Sequence, residues 1–422
     1  MKLVLFAHTP PPIHGQSMMI RLMLDGLGGD RLSAASAANR GQPPAGELGI
    51  ECYHVNARLS SSLEDMGRVR AGKVLRVLGY CGQALWARFR HGARTLYYVP
   101  SPPKRSSLCR DWLVMLLCRW AFRRVVFHWH AVGLGQWLED RAWAPERWLT
   151  HLLLDRADLA IVLSSFNQPD AEKFRPRAIR VVANGIADPC PDYFAALASR
   201  RAARANARRK LQAGASLSAA EREAAGGDPQ VLKVVFVAHC IREKGLFEAV
   251  SGVELANHQL AGESSPLRLE LTVAGQFFTT EERAEFDRLA AVPSVAGCAK
   301  YLGFITEPEK WTAFREADVF CFPTYYANEG QPANLIEAMA HGLPVVTTRW
   351  RSIPEFLPPG YCGLVEPRQP QQVAAALLAV MGENGDGFRA IFERHFTLQQ
   401  HLSTLAAALR SVAPEAAIQA AG

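Results

Sequence analysis

Two glutamates, Glu329 and Glu337, are separated by seven residues in a segment whose pattern predicts a strand, a loop and a helix. The apolar run Val319–Phe322 predicts a buried strand, the helix is predicted over 333–341, and Gly342 is placed to end it in a left-handed conformation. The first amides of such a helix lack partners and suit phosphate oxygens, and a carboxylate accepts two hydrogen bonds from a sugar diol. The segment therefore indicates a site for a ligand with hydroxyl groups and phosphate, although in isolation one glutamate could serve only the helix dipole and the other could be a solvated loop charge.

The N-terminal half offers a glycine and two histidines as further candidates. Gly15, in the loop 12–17 after the first predicted strand, permits a tight turn and close approach of the backbone to a phosphate or an acceptor. An ordinary strand-to-helix turn is the alternative. His128 and His130 close the predicted strand 125–130, and the alternation of a strand directs both to the same side. Either histidine could also be a buried core residue.

Parallel β-sheets are the elements that must position these loops, because strand-like runs alternate with helical patterns along the whole chain. Such alternation is typical of βαβ units, whose ligands bind beyond the carboxyl ends of the strands. The alternation starts afresh after residue 230, which predicts an α/β protein with two doubly wound domains and a cleft between them. The predicted regions are an N-terminal domain at 1–188, an Ala/Arg-rich interdomain segment of solvated surface helices at 189–230, a C-terminal domain at 231–395 and a helical tail at 396–422.

The composition predicts a folded protein without a membrane span. The 422 residues suffice for two domains of about 200 residues each, and a chain with 49% hydrophobic and 21% charged residues is not largely disordered. No apolar run approaches the ~20 residues that cross a bilayer, and the N-terminus lacks the pattern of a signal peptide. Nine scattered cysteines without a CxxC pair predict reduced thiols in the cytoplasm and no zinc site.

The net charge of +7 is concentrated in one region. No acidic residue occurs over 66–110, and this stretch contains ten cations: Arg68, Arg70, Lys73, Arg76, Arg88, Arg90, Arg94, Lys104, Arg105 and Arg110. With the aromatic residues that accompany them up to residue 124, these cations would attract a phospholipid leaflet, a lipid-linked phosphate or a nucleic acid. A solvated basic helix face would have the same composition. No helix-turn-helix, zinc or RNA-binding pattern occurs, so a nucleic acid is not expected as a partner.

The segment around the two glutamates resembles a family signature. Glu329 and the block EAMAHGLPVV at 337–346 are similar to the E-x7-E motif and the following block of the retaining family 4 glycosyltransferases (glycosyl transferases group 1), which have the GT-B fold of two Rossmann-like, doubly wound domains with an interdomain cleft. The similarity extends over roughly 231–380 and includes VAHCIREKG at 237–245 and the segments 273–275, 301–303, 317–319 and 353–355. In the N-terminal half it is patchy and rests on the opening strand and loop, His130, Ser164 and 184–186.

The resemblance implies roles for individual residues. Glu337 would bind the ribose of a nucleotide, Glu329 would contact hydroxyls of the donor sugar, and Lys244 would neutralise diphosphate charge. Backbone amides for the sugar and diphosphate would come from the stretch Gly330, Gln331, Pro332, Ala333 and Asn334. Gly15 would approach the donor from the loop of the first domain, and His130 would lie near the reacting sugar. The catalytic residues implied by the resemblance are therefore Glu329, His130 and Lys244.

One position departs from the family pattern. The family often has Gly-Arg where this chain has Ala238 and His239, five residues before Lys244. Either His239 replaces that arginine, in which case a neutral imidazole would be a weaker phosphate ligand, or Arg242 replaces it. Arg242 could also be an exposed surface cation.

The resemblance implies a reaction without a metal or another cofactor, and the chain contains no Asp-x-Asp pair. The implied enzyme is a hexosyltransferase-type glycosyltransferase that moves a sugar from a UDP- or GDP-sugar to a saccharide or lipid-linked saccharide, with retention, in the synthesis of bacterial envelope polysaccharide or exopolysaccharide. Its expected location is the cytoplasm, with the inner face of the plasma membrane as a partner surface for 66–124. The alternatives are a sugar-nucleotide epimerase on the same fold and a degenerate, non-catalytic domain that binds a nucleotide or polysaccharide.

Overall fold

The computed structural model describes residues 1–11, 15–33, 48–58 and 71–412, which form two compact units. The first unit consists of the described parts of Met1–Ile186, together with Asn328–Gln331 and the segment that starts at Leu398. The second unit consists of Ala187–Ala327 and Pro332–Thr397. Each unit contains a parallel six-stranded sheet with helices packed on it, which confirms the predicted α/β fold class.

The sheet of the first unit has the strand order β2-β1-β3-β4-β5-β6, and all neighbouring strands are parallel. Its strands are β1 (Lys2–Ala7), β2 (Glu51–Asn56), β3 (Thr95–Tyr98), β4 (Arg124–Trp129), β5 (Leu159–Val162) and β6 (Ile179–Val181). The central strands are continuous apolar runs because helices cover both faces of a parallel sheet.

The helices of the first unit cover two faces of this sheet. In chain order they begin with α1 (Gly15–Gly26), α2 (Ala71–His91), α3 (Arg105–Cys118), α4 (Leu134–Asp140), α5 (Ala144–Leu154) and α6 (Gln168–Glu172). Val77 of α2, Leu108 of α3 and Leu153 of α5 are buried in the apolar layer on one face, whereas Ile20 and Met23 of α1 are buried on the other. No helix in the described part of the chain is both long and apolar enough to cross a bilayer.

The sheet of the second unit has the strand order β12-β11-β10-β7-β8-β9 and is also parallel. Its strands are β7 (Val231–Val237), β8 (Arg268–Ala274), β9 (Ala299–Tyr301), β10 (Val319–Phe322), β11 (Val345–Thr348) and β12 (Leu364–Val365). Its helices are α7 (Ser199–Gln212), α8 (Ala219–Ala225), α9 (Leu246–Gly262), α10 (Thr280–Ala290), α11 (Pro293–Ala296), α12 (Glu309–Glu316), α13 (Ala333–Ala340), α14 (Pro370–Ala379) and α15 (Asp386–His395). Because β7 and β10 are neighbours, the loops that follow them leave the sheet at the same edge.

The chain returns to the first unit in its final described helix, α16 (Leu398–Arg410). Leu405 and Leu409 are buried in the same apolar layer as α1. The side chain of Leu402 lies so close to Gly26 that a side chain at that position would collide with it. The described part of the tail predicted at 396–422 therefore packs into a core, and 413–422 lies outside the described residues.

The Ala/Arg-rich segment differs from the solvated surface helices that the sequence predicts. Arg201, Arg204 and Arg208 of α7 are buried. Arg208 donates from Nη2 to the carboxylate of Asp318, the residue before β10, at 2.6 Å, and Arg204 donates to the same carboxylate at 3.2 Å. Burial would raise the pKa of Asp318, but the two arginines outweigh it and hold this pKa below its ordinary value. The prediction of solvation is wrong for these arginines because their spacing places them on one side of the helix, against a buried carboxylate.

Candidate functional site

The loop after β10 and the helix α13 have the arrangement predicted from the sequence. β10 ends at Phe322, and α13 begins at Ala333. Asn334, in the first turn, donates from Nδ2 to the backbone oxygen of Val237, the last residue of β7, at 2.9 Å. The amino end of α13 therefore lies at the carboxyl ends of β7 and β10. This position suits an anionic ligand, because the first amides of a helix have no partners within it.

Glu337 lies in the middle of α13 and has a partner that the sequence did not reveal. Lys310 of α12 donates from Nζ to Oε1 of Glu337 at 2.5 Å, and only 13% of the Glu337 side chain is exposed. Burial raises the pKa of Glu337, whereas Lys310 favours the charged form. Lys310 holds one oxygen of this carboxylate, so the second oxygen can accept hydrogen bonds from a ligand. No motif marks Lys310, and only its position in the fold identifies it.

Lys244 lies in the turn between β7 and α9. Its ammonium group is 4.5 Å from the ring centroid of Tyr326 and 5.6 Å from that of Phe322, so it lies over the loop that follows β10. Gly245 follows with a φ of +81°, and a side chain there would collide with the carbonyl group of Pro323. The two loops are thus in close contact, and this contact fixes a cation at the carboxyl ends of β7 and β10.

The two candidates for the missing family arginine have different surroundings. The ring of His239 packs against Phe278 with a centroid distance of 4.7 Å. Burial, together with the nearby charge of Lys244, lowers the pKa of His239 to about 4, so the imidazole is neutral at pH 7. Arg242 forms an ion pair with Glu285 of α10. The structure therefore brings His239 close to Lys244 and gives Arg242 another partner, and the phosphate role of each stays a prediction.

The histidines at the end of β4 belong to a buried cluster in the first unit. The rings of His128 and His130 are 4.1 Å apart, so both side chains lie on the same side, as the strand alternation predicts. The hydroxyl of Tyr97 on β3 is hydrogen-bonded to Nδ1 of His128. Burial lowers the pKa of His128 well below its ordinary value, and the nearby His130 and His401 lower it further. Tyr97 and His401 carry no sequence signal, because β3 and α16 meet β4 only through the fold.

The residues before α13 pack within the first unit. Gly330 lies so close to His130 that a Cβ at this position would be 2.5 Å from the His130 carbonyl oxygen. The amide of Asn184 donates to Oε1 of Gln331 at 2.6 Å, and its Nδ2 donates to the Gln331 carbonyl oxygen at 3.3 Å. Glu329, which directly precedes Gly330 in the chain, is also buried. The first unit thus holds Glu329, Gly330 and Gln331 together with His130, whereas Pro332, Ala333, Asn334 and Glu337 belong to the second unit.

Gly15 is the first residue of α1 and is exposed. A Cβ at this position would meet no atom within 4 Å, so a ligand could approach this backbone closely. The preceding loop residues 12–14 lie outside the described residues. The role of Gly15 in donor binding stays a prediction.

Some cations of the basic region at 66–124 are engaged within the fold and are not available to a partner. Arg68 and Arg70 lie outside the described residues. Arg88 donates from Nε to the backbone carbonyl oxygen of Ala121, three residues after the end of α3, at 2.7 Å. Arg110 pairs with the buried Asp111 at 3.0 Å. Arg88 and Arg110 therefore stabilise the fold rather than offer charge to a partner.

Comparison with known proteins relates the second unit to a sequence family. The family described as Glycosyl transferases group 1 matches residues 232–383. The amylovoran biosynthesis glycosyltransferase AmsK of Erwinia amylovora is 30% identical over 153 residues, which are 35% of this chain and 35% of AmsK. A phosphatidyl-myo-inositol mannosyltransferase of Mycobacterium tuberculosis is 30% identical over 142 residues, 34% of each chain. The matches span about a third of the length of these curated relatives.

Solved structures are similar over almost the whole chain. Anabaena HepE, in complex with UDP, has a TM-score of 0.61 at 14% identity, with 97% of this chain and 100% of that chain covered. Sucrose-phosphate synthase from Thermosynechococcus elongatus has a TM-score of 0.61 at 15% identity, with 98% and 99% covered. At these identities the likeness shows the fold alone, and this fold is GT-B.

Proposed function

We propose that this chain, whose residues 232–383 match the family described as Glycosyl transferases group 1, transfers a sugar from a nucleotide diphosphate donor to an acceptor hydroxyl. One observation in the second unit carries the proposal. Lys244, the amino end of α13 and the Glu337 carboxylate all lie on segments that follow the neighbouring strands β7 and β10. A cation, amides at the start of a helix and a carboxylate are the groups that a diphosphate joined to a ribose requires.

Each group of the second unit would take one part of the donor. Lys244 and the first amides of α13 would bind the diphosphate, with His239 or Arg242 as a further phosphate contact. Glu337 would accept hydrogen bonds from the two ribose hydroxyls, while Lys310 would orient its side chain and favour its charged form. The residues of the first unit proposed to act on the donor are Gly15 at the start of α1, and Glu329 and His130 for the transferred sugar.

The proposed reaction retains the configuration at the anomeric carbon. The bond between the anomeric carbon and the diphosphate oxygen breaks, a bond to the acceptor oxygen forms on the same face, and the acceptor proton passes to the leaving diphosphate. Negative charge grows on the diphosphate as the sugar departs, so Lys244 would stabilise the transition state more than the bound donor. A separate general base is not required in this scheme, and a metal ion is not required for the diphosphate charge.

The relatives suggest the substrates and the process. AmsK is named for amylovoran biosynthesis, the relative WcaL of Salmonella typhimurium is named for colanic acid biosynthesis, and one HepE structure is a complex with UDP-glucose. We therefore infer a UDP- or GDP-hexose donor and a saccharide or lipid-linked saccharide acceptor, in bacterial envelope polysaccharide or exopolysaccharide synthesis. The inferred location is cytoplasmic, on the inner face of the plasma membrane, with contact through the basic and aromatic region.

Product formation from a panel of UDP- and GDP-hexoses, with a lipid-linked saccharide acceptor and mass spectrometry, tests the proposal. Transfer from one donor is expected, and Lys244→Ala should lower kcat by about 10²–10³, with a smaller effect on the donor KM. Lys300→Ala removes an exposed lysine of the second unit and is the matched control. Equal kcat values for the two variants would remove Lys244 from the mechanism.

The same experiment separates the alternatives. A sugar-nucleotide epimerase would convert the donor without an acceptor, and the product would remain a nucleotide sugar. A degenerate domain would bind a nucleotide or polysaccharide but form no product with any donor. Either result would refute the proposed transfer.

A further inference from the structure

Three helices of the first unit, α2, α3 and α5, form a layer on one face of its sheet. Cys118 at the end of α3 contacts the backbone oxygen of Cys81 on α2 with its Sγ, at 3.9 Å. Trp112 of α3 donates from Nε1 to Oγ1 of Thr150 on α5 at 2.9 Å. The three helices therefore lie side by side, and their inner sides share one apolar layer with the sheet. Each helix also has an outer side that points away from the sheet.

The outer side of α2 is apolar. Leu75, Leu78, Trp86 and Phe89 lie on one side of the helix by their spacing, and all four are exposed, Trp86 to 55% and Phe89 to 64%. A surface helix normally carries polar and charged residues on this side. α2 therefore has one apolar stripe toward the sheet, which includes Val77, and a second apolar stripe toward the solvent.

The exposed apolar surface continues on the next two helices. Trp120, directly after α3, is 70% exposed, and Trp148 of α5 is 66% exposed. Leu116 and Leu152 are exposed one helical turn away from them. Apolar area shared by neighbouring helices marks a surface that binds a partner. We call the outer sides of α2, α3 with Trp120, and α5 the three-helix face.

The charge of the three-helix face identifies the partner. Arg76 and Arg90 of α2 are exposed beside its outer stripe, and no acidic residue occurs over 66–110. Glu146, the acidic residue of α5, is paired with Arg105 at 3.0 Å. Tryptophan and leucine side chains insert at the boundary between lipid headgroups and acyl chains, while arginines contact lipid phosphates. An anionic bilayer has both properties that this face requires.

We propose that the three-helix face docks the first unit on an anionic lipid bilayer, with Trp86, Trp120 and Trp148 at the depth of the headgroups. This inference deepens the proposed function and rests on it, because it names the surface on which a lipid-linked acceptor would be presented. A second copy of this chain matches the face less well, because a twofold interface would place the same arginines opposite one another. α5 lies outside the region 66–124, so the sequence alone did not include it.

The contribution of the apolar residues of the three-helix face can be tested by co-sedimentation. The full chain is mixed with vesicles that contain phosphatidylglycerol, without any nucleotide sugar. Trp86→Ala/Phe89→Ala is expected to bind at least about tenfold more weakly, because two rings no longer leave water. Phe304→Ala is the control, since it removes a 55% exposed ring from the second unit. Equal binding by the double variant and the control would overturn the proposal.

The contribution of the exposed arginines of the three-helix face has its own test. Arg90→Glu should weaken binding to the same vesicles, and Arg288→Glu, an exposed charge reversal on α10, should not. Raising the salt concentration from about 0.1 M to about 0.5 M should weaken binding of the unmodified chain, because salt screens exposed charges. If the unmodified chain bound phosphatidylcholine vesicles as strongly as it binds phosphatidylglycerol vesicles, and did so at both salt concentrations, the requirement for an anionic surface would be overturned.

Two further measurements separate this inference from its competitors. If light scattering without lipid showed a dimer that Trp86→Ala/Phe89→Ala converts to a monomer, the face would be a contact between copies and bilayer docking would be overturned. Transfer to a water-soluble acceptor should be unchanged in this double variant, since neither ring belongs to the proposed donor site. A chain that binds vesicles but transfers no sugar would refute the proposed function and still support docking.

Discussion

Replacement of Glu337 by glutamine tests the proposed donor site most directly. Lys310 holds Oε1 at 2.5 Å, and only 13% of the Glu337 side chain is exposed, so the carboxylate acts in a partly desolvated position. A hydrogen bond to a charged acceptor contributes about 1.5–3 kcal/mol, and glutamine keeps the shape and one acceptor oxygen but loses the charge. Loss of one such bond predicts that the preferred nucleoside diphosphate binds about 10- to 100-fold more weakly to Glu337→Gln.

The pH dependence of this binding has a defined sign. Burial raises the pKa of Glu337, while Lys310 opposes that effect. In the proposed site, ribose hydroxyls would donate to the charged form, so the affinity would be complete above the pKa of Glu337 in the free protein and would fall as the pH drops through it. Lys310→Met removes the opposing charge, which raises this pKa further and should shift the loss of affinity to higher pH. Glu337→Gln should remove this component of the pH dependence.

Calorimetric titration with UDP, GDP and ADP between about pH 5 and pH 8 measures both effects. Glu309→Gln is the control, because it removes the same charge at an exposed position next to Lys310. Selective binding of one nucleotide, weakened in Glu337→Gln and retained in Glu309→Gln, is the expected result. If both variants bound that nucleotide equally at every pH, the assignment of Glu337 to the ribose would be refuted.

Three further predictions concern the remaining parts of the molecule. Tyr97→Phe removes the hydroxyl bonded to His128, whose ring packs against that of His130. If this pair orients His130 in the proposed site, the variant should lower kcat by about tenfold with the donor KM unchanged, and an unchanged kcat would show that the hydroxyl has no such role. Arg208→Met should destabilise the second unit in urea unfolding by about 3 kcal/mol, since it deprives the buried Asp318 of a partner, and the exposed Arg209→Met by less than about 0.5 kcal/mol. The folded-state pKa of Asp318 is held low, so this difference should shrink as the pH falls through that pKa. EDTA should leave the transfer rate unchanged, and a rate that EDTA abolishes and Mg²⁺ restores would contradict the assignment of the diphosphate charge to protein groups.

The strand, loop and helix of the second unit could be predicted because their signals are local. The apolar run Val319–Phe322 is short and bounded, and the helix Ala333–Ala340 begins and ends within a residue of its predicted limits. Gly342 has a φ of +59°, as its predicted place after the helix requires. These features depend on neighbours within a few positions, which the sequence presents directly.

The partners of the charged groups could not be predicted, because they are distant in the chain. Arg208 and Asp318 are 110 residues apart, and Glu337 and Lys310 are 27 residues apart. The composition of α7 alone indicates a solvated helix, and only the packing of that helix against the start of β10 shows a buried ion pair. A pair of this kind appears only when the topology brings two elements together.

The side of α2 that faces the core could not be predicted from the sequence either, and this orientation bears on the docking proposed above. Both sides of this helix are apolar, and the usual expectation would place the large rings of Trp86 and Phe89 in the core. The structure has the reverse order: the small residues Cys81, Ala84 and Ala87 face the core, while the rings are exposed. Close packing of α2 against α3 and the sheet favours small inner side chains, but it gives no reason for aromatic outer ones. Each exposed ring forgoes the ~1.5–3 kcal/mol that burial would provide. A face that had only to remain in water would be more stable with polar residues, so the proposed docking on a bilayer gives these rings a reason.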